Sequence, residues 1–203
     1  MKDYLVPGIC VALLIMSVGV GAAQEIGTEQ QIAGAVQAAP EDRREGATVK
    51  GYSTDGELTV LREGSNEIIC LADKPGDDKF RAACYHESLE AYMVRGRELR
   101  AAGIDGAENL EQRHQEADNG KLEMPSDPAA LYNLGGPADI FDTRTGEVNG
   151  GNWVWSIYTP YATEASTGLP TGPQAPGGPW IMRPGTASSH IMVVQPRDKS
   201  PAE

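Results

Sequence analysis

Two cysteines, Cys70 and Cys84, bracket the segment CLADKPGDDKFRAACYHE. What they bind constrains the fold more than any other feature of the chain. The third cysteine, Cys10, lies in an apolar run from Leu5 to Val20 that follows Lys2 and ends in Gly21-Ala22-Ala23. A charged start, an apolar stretch and a small-residue exit read as a secretory signal over residues 1–23, cleaved to leave Gln24. Cys10 sits inside the run rather than at its end, so a lipid-anchored start is not expected. A retained anchor is the alternative, since the run nearly reaches the roughly 20 residues that span a bilayer. Pro7, the glycines and the small-residue exit oppose it. Without the leader the cysteines form an even pair in an oxidising compartment, where a disulfide is the simplest expectation. Closing a loop of about 15 residues stabilises by about 3 kcal/mol in the chain-entropy picture.

The other readings of that segment are weaker. Zinc sites bring cysteines as C-x-x-C-type pairs, which this chain lacks, and redox catalysis wants the same motif. Neither metal nor cofactor is expected. The remaining roughly 180 residues suit one domain with a proper core. The formal net charge of -12 supports solubility and opposes a nucleic-acid partner, whose phosphates need a basic surface. No further apolar stretch is long enough to span a membrane, so no transmembrane segment is expected after signal removal.

Periodicity organises the rest. Thr28 to Ala39 reads as a short helix, with capping-box spacing between Thr28 and Gln31, stopped by Pro40. Residues 24–46 then form that helix and a polar connector. ATVKGY (Ala47 to Tyr52), ELTVLR (Glu57 to Arg62) and EIICLA (Glu67 to Ala72) read as strands. Asp55-Gly56 and Gly64-Ser65-Asn66 supply turns, which predicts a three-stranded antiparallel meander. Tyr85, Leu89, Tyr92, Gly96 and Leu99 form one stripe at helical spacing and predict a long helix from about Asp78 to Ala102, capped by Asp77 or Asp78. The staple then joins helix to strand. A second helix is expected over Ala107 to Asp118. Strands follow at Ala130 to Leu134, Asn152 to Tyr158, Pro179 to Met182 and His190 to Gln195. Thr167 to Pro179 is too rich in Pro and Gly for regular structure. The expected fold class is α+β, a single secreted domain over 47–203: a meander and long helix (47–106), then a β-rich half (107–203).

Several residues are candidates for chemistry. On a helix His86 would share a face with Glu90, a general-base pair or a plain surface pair. His190 opens a strand beside a loop, where binding residues tend to sit, yet buried histidines are commonly structural. His114 lies in a polar helical stretch and reads as solvated. No G-x-S-x-G elbow accompanies Ser188 and Ser189. Asp139, Asp142, Glu147 and Asn149 match a calcium loop poorly, and Thr145-Gly146 reads as a hairpin turn. Trp153, Trp155, Tyr158, Tyr161 and Trp180 suit a contact surface, although Trp153 and Trp155 also suit a core.

Three stretches, REGSNEIICLADKPGDDKFRAACYHESLEAYMVRGREL, YTPYATEASTGLP and PWIMRPGTASSHIM, resemble a family of small exported bacterial proteins. The resemblance implies export, to periplasm or medium, and a single domain. It implies no substrate and no catalytic residue. Two functional readings follow from the residues. One is a non-catalytic binding or envelope-associated module, using the aromatics on a small molecule or envelope component. The other is a secreted hydrolase using His190 and possibly His86 with Glu90.

Overall fold

The computed structural model describes residues 26–76 and 78–195. The expected leader and the Asp77 cap lie outside them. The chain is one α+β unit built on an eight-stranded mixed sheet. In chain order its elements are α1 (Thr28–Val36), β1 (Thr48–Tyr52), β2 (Leu58–Arg62), β3 (Ile68–Leu71), β4 (Lys79–His86), α2 (Glu90–Ala101) and α3 (Gly106–Asp118). These are followed by β5 (Ala129–Pro137), β6 (Asn152–Tyr158), α4 (Glu164–Thr167), β7 (Trp180–Met182) and β8 (His190–Val194). The strands lie in the order β2-β1-β3-β4-β5-β6-β8-β7. No described helix is long and apolar enough to cross a membrane.

The expected meander is corrected. β1 and β2 form the Asp55-Gly56 hairpin, with Gly56 at φ 77°, but β3 pairs with β1 in parallel, Val49 beside Cys70. The chain leaves β2 at the start of β1 and crosses it there. Gly64 makes that crossing possible, because a Cβ would stand 2.3 Å from the Thr48 amide nitrogen. The Ser65 and Asn66 amides bond the Gly46 carbonyl, so β3 begins level with β1 and runs alongside it.

The long helix is also corrected. Residues 79–86 are strand, pairing with β3 on one side and β5 on the other. Phe80, Ala82 and Cys84 alternate into the core while Lys79 and Arg81 stay exposed, the period of a strand. The helix starts only at Glu90, after a single 3-10 turn over Glu87–Leu89. The whole Tyr85-Leu89-Tyr92-Gly96-Leu99 stripe is nonetheless buried. The disulfide joins Cys70 to Cys84 directly across β3 and β4, Cα atoms 4.0 Å apart, and so links strand to strand rather than strand to helix.

Each sheet face carries its own core. On one, Val49, Cys70, Phe80, Cys84 and Leu134 pack under α1 and Phe141. Gln31 does not cap α1, whose N-cap Gly27 makes no side-chain bond. Its amide instead bonds both the N–H and the carbonyl of Tyr52, fastening α1 to the end of β1. On the other face Tyr85, Leu89, Tyr92, Ala129 and Tyr158 pack under α2 and α3. Those helices are held together by an Arg95–Glu116 fork, 2.7 and 2.6 Å, and by the Arg113 guanidinium 4.1 Å over the Tyr92 ring.

Candidate functional site

The first sheet face is wider than its cover. Seven strand spacings of about 4.8 Å exceed 30 Å, while α1 is about 13 Å long and about 10 Å across. Past its end the β6 side of the face lies open as a cleft of about 920 Å³. Trp153 and Trp155 form its floor with Asn152 and the Gly150-Gly151 backbone; Ala38, Ala39, Pro40 and Arg44 form one wall, and Pro137 and Gln195 complete the lining. Alternation puts both indoles on the same face of β6, about 7 Å apart along the strand. Trp153 packs on the core edge. Trp155 is 38 % exposed, so it does not serve as core. Its orientation is set by Tyr132 on β5, edge-on with ring centres 6.0 Å apart and an interplanar angle of 86°.

Among the described residues, Arg44 is the one charged residue lining the cleft. Its Nε donates to the Ala39 carbonyl at 3.0 Å and its Nη2 to the Gln37 carbonyl at 3.3 Å. These bonds close the C-terminal end of α1 and fix the guanidinium, but carbonyls leave its charge unneutralised. Two glycines shape the opposite side. Gly151, at φ 107°, lies where a Cβ would meet Leu134 Cδ1 at 2.9 Å, whereas Gly150, at φ 85°, faces open space. The sequence held no signal for Arg44, because its adjacency to Trp153 is purely tertiary, whereas Gly150 and Gly151 lie just ahead of Trp153 in the chain.

The other predicted aromatics lie elsewhere. Tyr158 is buried on the opposite face, stacked on His190 with centroids 5.0 Å apart. Burial pushes its phenol up to about 12. Trp180 and Val194 border a second hollow of about 590 Å³ beside the Pro173–Gly177 loop, and Gln195 lines both hollows. Tyr161 is 49 % exposed, at a left-handed φ of 63°, and its hydroxyl donates to Asp118.

The candidate catalytic residues are not brought together. His86 does not meet Glu90: its Nδ1 accepts from the Ser88 amide and contacts the Ser88 hydroxyl, capping the 3-10 turn. The pair fails because His86 ends a strand instead of standing one helical turn before Glu90. Glu90 accepts from Lys50, Tyr85 and Arg97. His190 is 5 % exposed, and its Nδ1–H donates to the Ser188 carbonyl at 2.7 Å. Burial pushes its imidazole down, with Arg183 adding to the shift against the carbonyl's pull.

His114, read as solvated, is instead half-buried, with Nε2 2.5 Å from Ser188 Oγ. The contact forms where two loops are laced together by Thr159–Ser189, Tyr161–Thr186 and Gly185–Ala162 backbone bonds. Both described non-glycine residues with positive φ, Tyr161 and Arg183 at 53°, fall in these loops. Ser188 has no exposed surface, so the pair ties α3 to the loop before β8 and offers no nucleophile to solvent. The acidic stretch forms the expected turn, with Phe141 bridged to Val148 and Asp142 held by Arg144. Among the described residues no group of three His, Cys, Asp or Glu could hold a metal ion. Comparison with protein-family models, curated proteins and solved structures finds no match for this chain.

Proposed function

We propose that the protein is an exported, non-catalytic binding module whose ligand site is the Trp153–Trp155 cleft. The observation that carries this reading is a half-exposed indole, propped by Tyr132, on the floor of a hollow of about 920 Å³. Small-ligand sites occupy about 300–1,000 Å³ and combine aromatic walls with a few fixed polar groups. Arg44 and Gln195 fill the polar role. Export is supported by the apolar leader and the disulfide. The hydrolytic reading draws on the His114–Ser188 contact and ranks second, because Ser188 is buried and, among the described residues, neither His190 nor His86 meets a carboxylate.

The test is tryptophan emission of the protein from Gln24 onward, titrated with oligosaccharides, a proline decapeptide and short-chain phospholipid. A saturable shift that Trp155→Ala abolishes is expected for at least one class. If no probe moves the emission, or Trp155→Ala leaves every response intact, the cleft is not the site. Labelling of Ser188 by a fluorophosphonate would instead promote the hydrolytic reading.

A further inference from the structure

We infer that the cleft takes a largely neutral glycan carrying an isolated carboxylate. This rests on the binding reading above and names its ligand class. Three features of the lining point the same way.

The floor offers flat stacking surfaces, two indoles about 7 Å apart on one strand face, the outer one open and fixed edge-on by Tyr132. Pyranose rings present a face of C–H groups that packs on an indole while their hydroxyls point sideways. Donors and acceptors around the floor, the Arg44 guanidinium and the Gln195 side chain, suit hydroxyls at the edges of such a ring.

The second feature is charge. The chain carries 29 Asp and Glu residues, yet among the described residues none lines the cleft, and the single charged residue there is cationic. Arg44 has backbone carbonyls as its side-chain partners. A guanidinium held in place without a carboxylate is pre-organised for one from outside, with little entropy left to lose. The net charge of -12 sets the opposite limit, since a densely anionic polymer is repelled at long range. One carboxylate among neutral sugars satisfies both conditions.

The third feature is the backbone beneath. β6 is paired on both sides, to β5 and β8, so no strand edge is open there for an extended peptide to join. The ligand must lie on the sheet face and be held by side chains.

The experiment compares two disaccharides that differ by one lactyl group and its carboxylate, GlcNAc-β(1→4)-MurNAc and N,N′-diacetylchitobiose, by calorimetry and tryptophan emission on the protein from Gln24 onward. The muramic disaccharide is expected to bind about tenfold tighter, the scale of a charge-assisted hydrogen bond. That ratio should shrink with added salt and collapse in Arg44→Gln. Because Arg44 also closes α1, the salt dependence of the unaltered protein tests the charge pairing without any substitution. Trp155→Ala should weaken both ligands. Equal binding of the two disaccharides, or tighter binding of trigalacturonate than of either, overturns the inference while leaving the cleft a glycan site. A response to the proline decapeptide alone overturns it and leaves the binding reading standing. Silence from every probe removes both.

Discussion

Lys50 Nζ lies 2.6 Å from Glu90 Oε1 and ties the middle of β1 to the first residue of α2. The same carboxylate accepts from Tyr85 at the end of β4 and from Arg97 two turns further along the same face of the helix. Three elements on the second sheet face thus meet at one half-buried anion. Burial works against that anion, but the hydrogen bonds from Lys50 and Tyr85 and the charges of Lys50 and Arg97 outweigh it, holding Glu90 below its ordinary value.

Glu90→Gln should therefore lower stability by about 2 kcal/mol, the range for hydrogen bonds to a charged group. The pH dependence has a definite sign. Glu90's contribution is complete above its unfolded value of 4.5 and is lost as pH falls through its lower folded value. Urea midpoints at pH 7, 5 and 3.5 check this. The variant should lose less stability on acidification than the parent, and identical acid limbs would contradict the account.

The histidines act in a separate window. Burial pushes His190 and His114 below the ordinary 6.5, so the folded state binds fewer protons than the unfolded chain. Stability is then complete above about pH 6.5 and declines as pH falls towards the depressed folded values. A His114→Gln/His190→Gln double variant should flatten the midpoint slope between pH 7 and 5.5, whatever its absolute stability. An unchanged slope would place the titration elsewhere.

Reduction of Cys70–Cys84 tests the staple. A closed loop of this length stabilises by about 3 kcal/mol, chiefly by restricting the unfolded chain. Because β3 and β4 remain paired through backbone bonds, reduction should lower the urea midpoint without changing far-ultraviolet circular dichroism at zero denaturant. Loss of the β signal on reduction would mean that the bond maintains the register itself.

Gly34→Ala tests how α1 forms the cleft wall. Alanine is the better helix former by about 1 kcal/mol, but its Cβ would stand 2.6 Å from Phe141 Cε2 and 3.1 Å from Cζ. Phe141 is itself packed on Phe80, 5.0 Å between centroids. Overpacking of this kind costs about 1–3 kcal/mol, so a net loss of about 1 kcal/mol is expected. Tryptophan emission should shift as Ala38 and Ala39 move from Trp153. A rise in stability would show that the ring yields freely.

Local chemistry alone determined much of this protein. Runs of β-branched and aromatic residues between turn signals marked all the strands except β4. Asp55-Gly56 marked the first hairpin, because few residues tolerate its positive φ. The even pair of cysteines left after the expected leader pointed to the Cys70–Cys84 bond. The tertiary structure decided what local rules left ambiguous. From Lys79 to His86 a helical stripe and a strand alternation overlap in one segment, and only β3 and β5, supplying backbone partners on both sides, selected the strand. That choice moved His86 away from Glu90 and delivered Glu90 to Lys50. The parallel pairing of β1 with β3 followed from a close backbone crossing at Gly64. The candidate site was legible in part: Trp153 and Trp155 stood out as aromatics on one strand face. Gly150 and Gly151 precede them in the chain, but Arg44 became their neighbour only because a nine-residue helix is too narrow to cover an eight-stranded sheet. No periodicity encodes where that cover ends, since it depends on the width of a sheet assembled from strands distant in sequence.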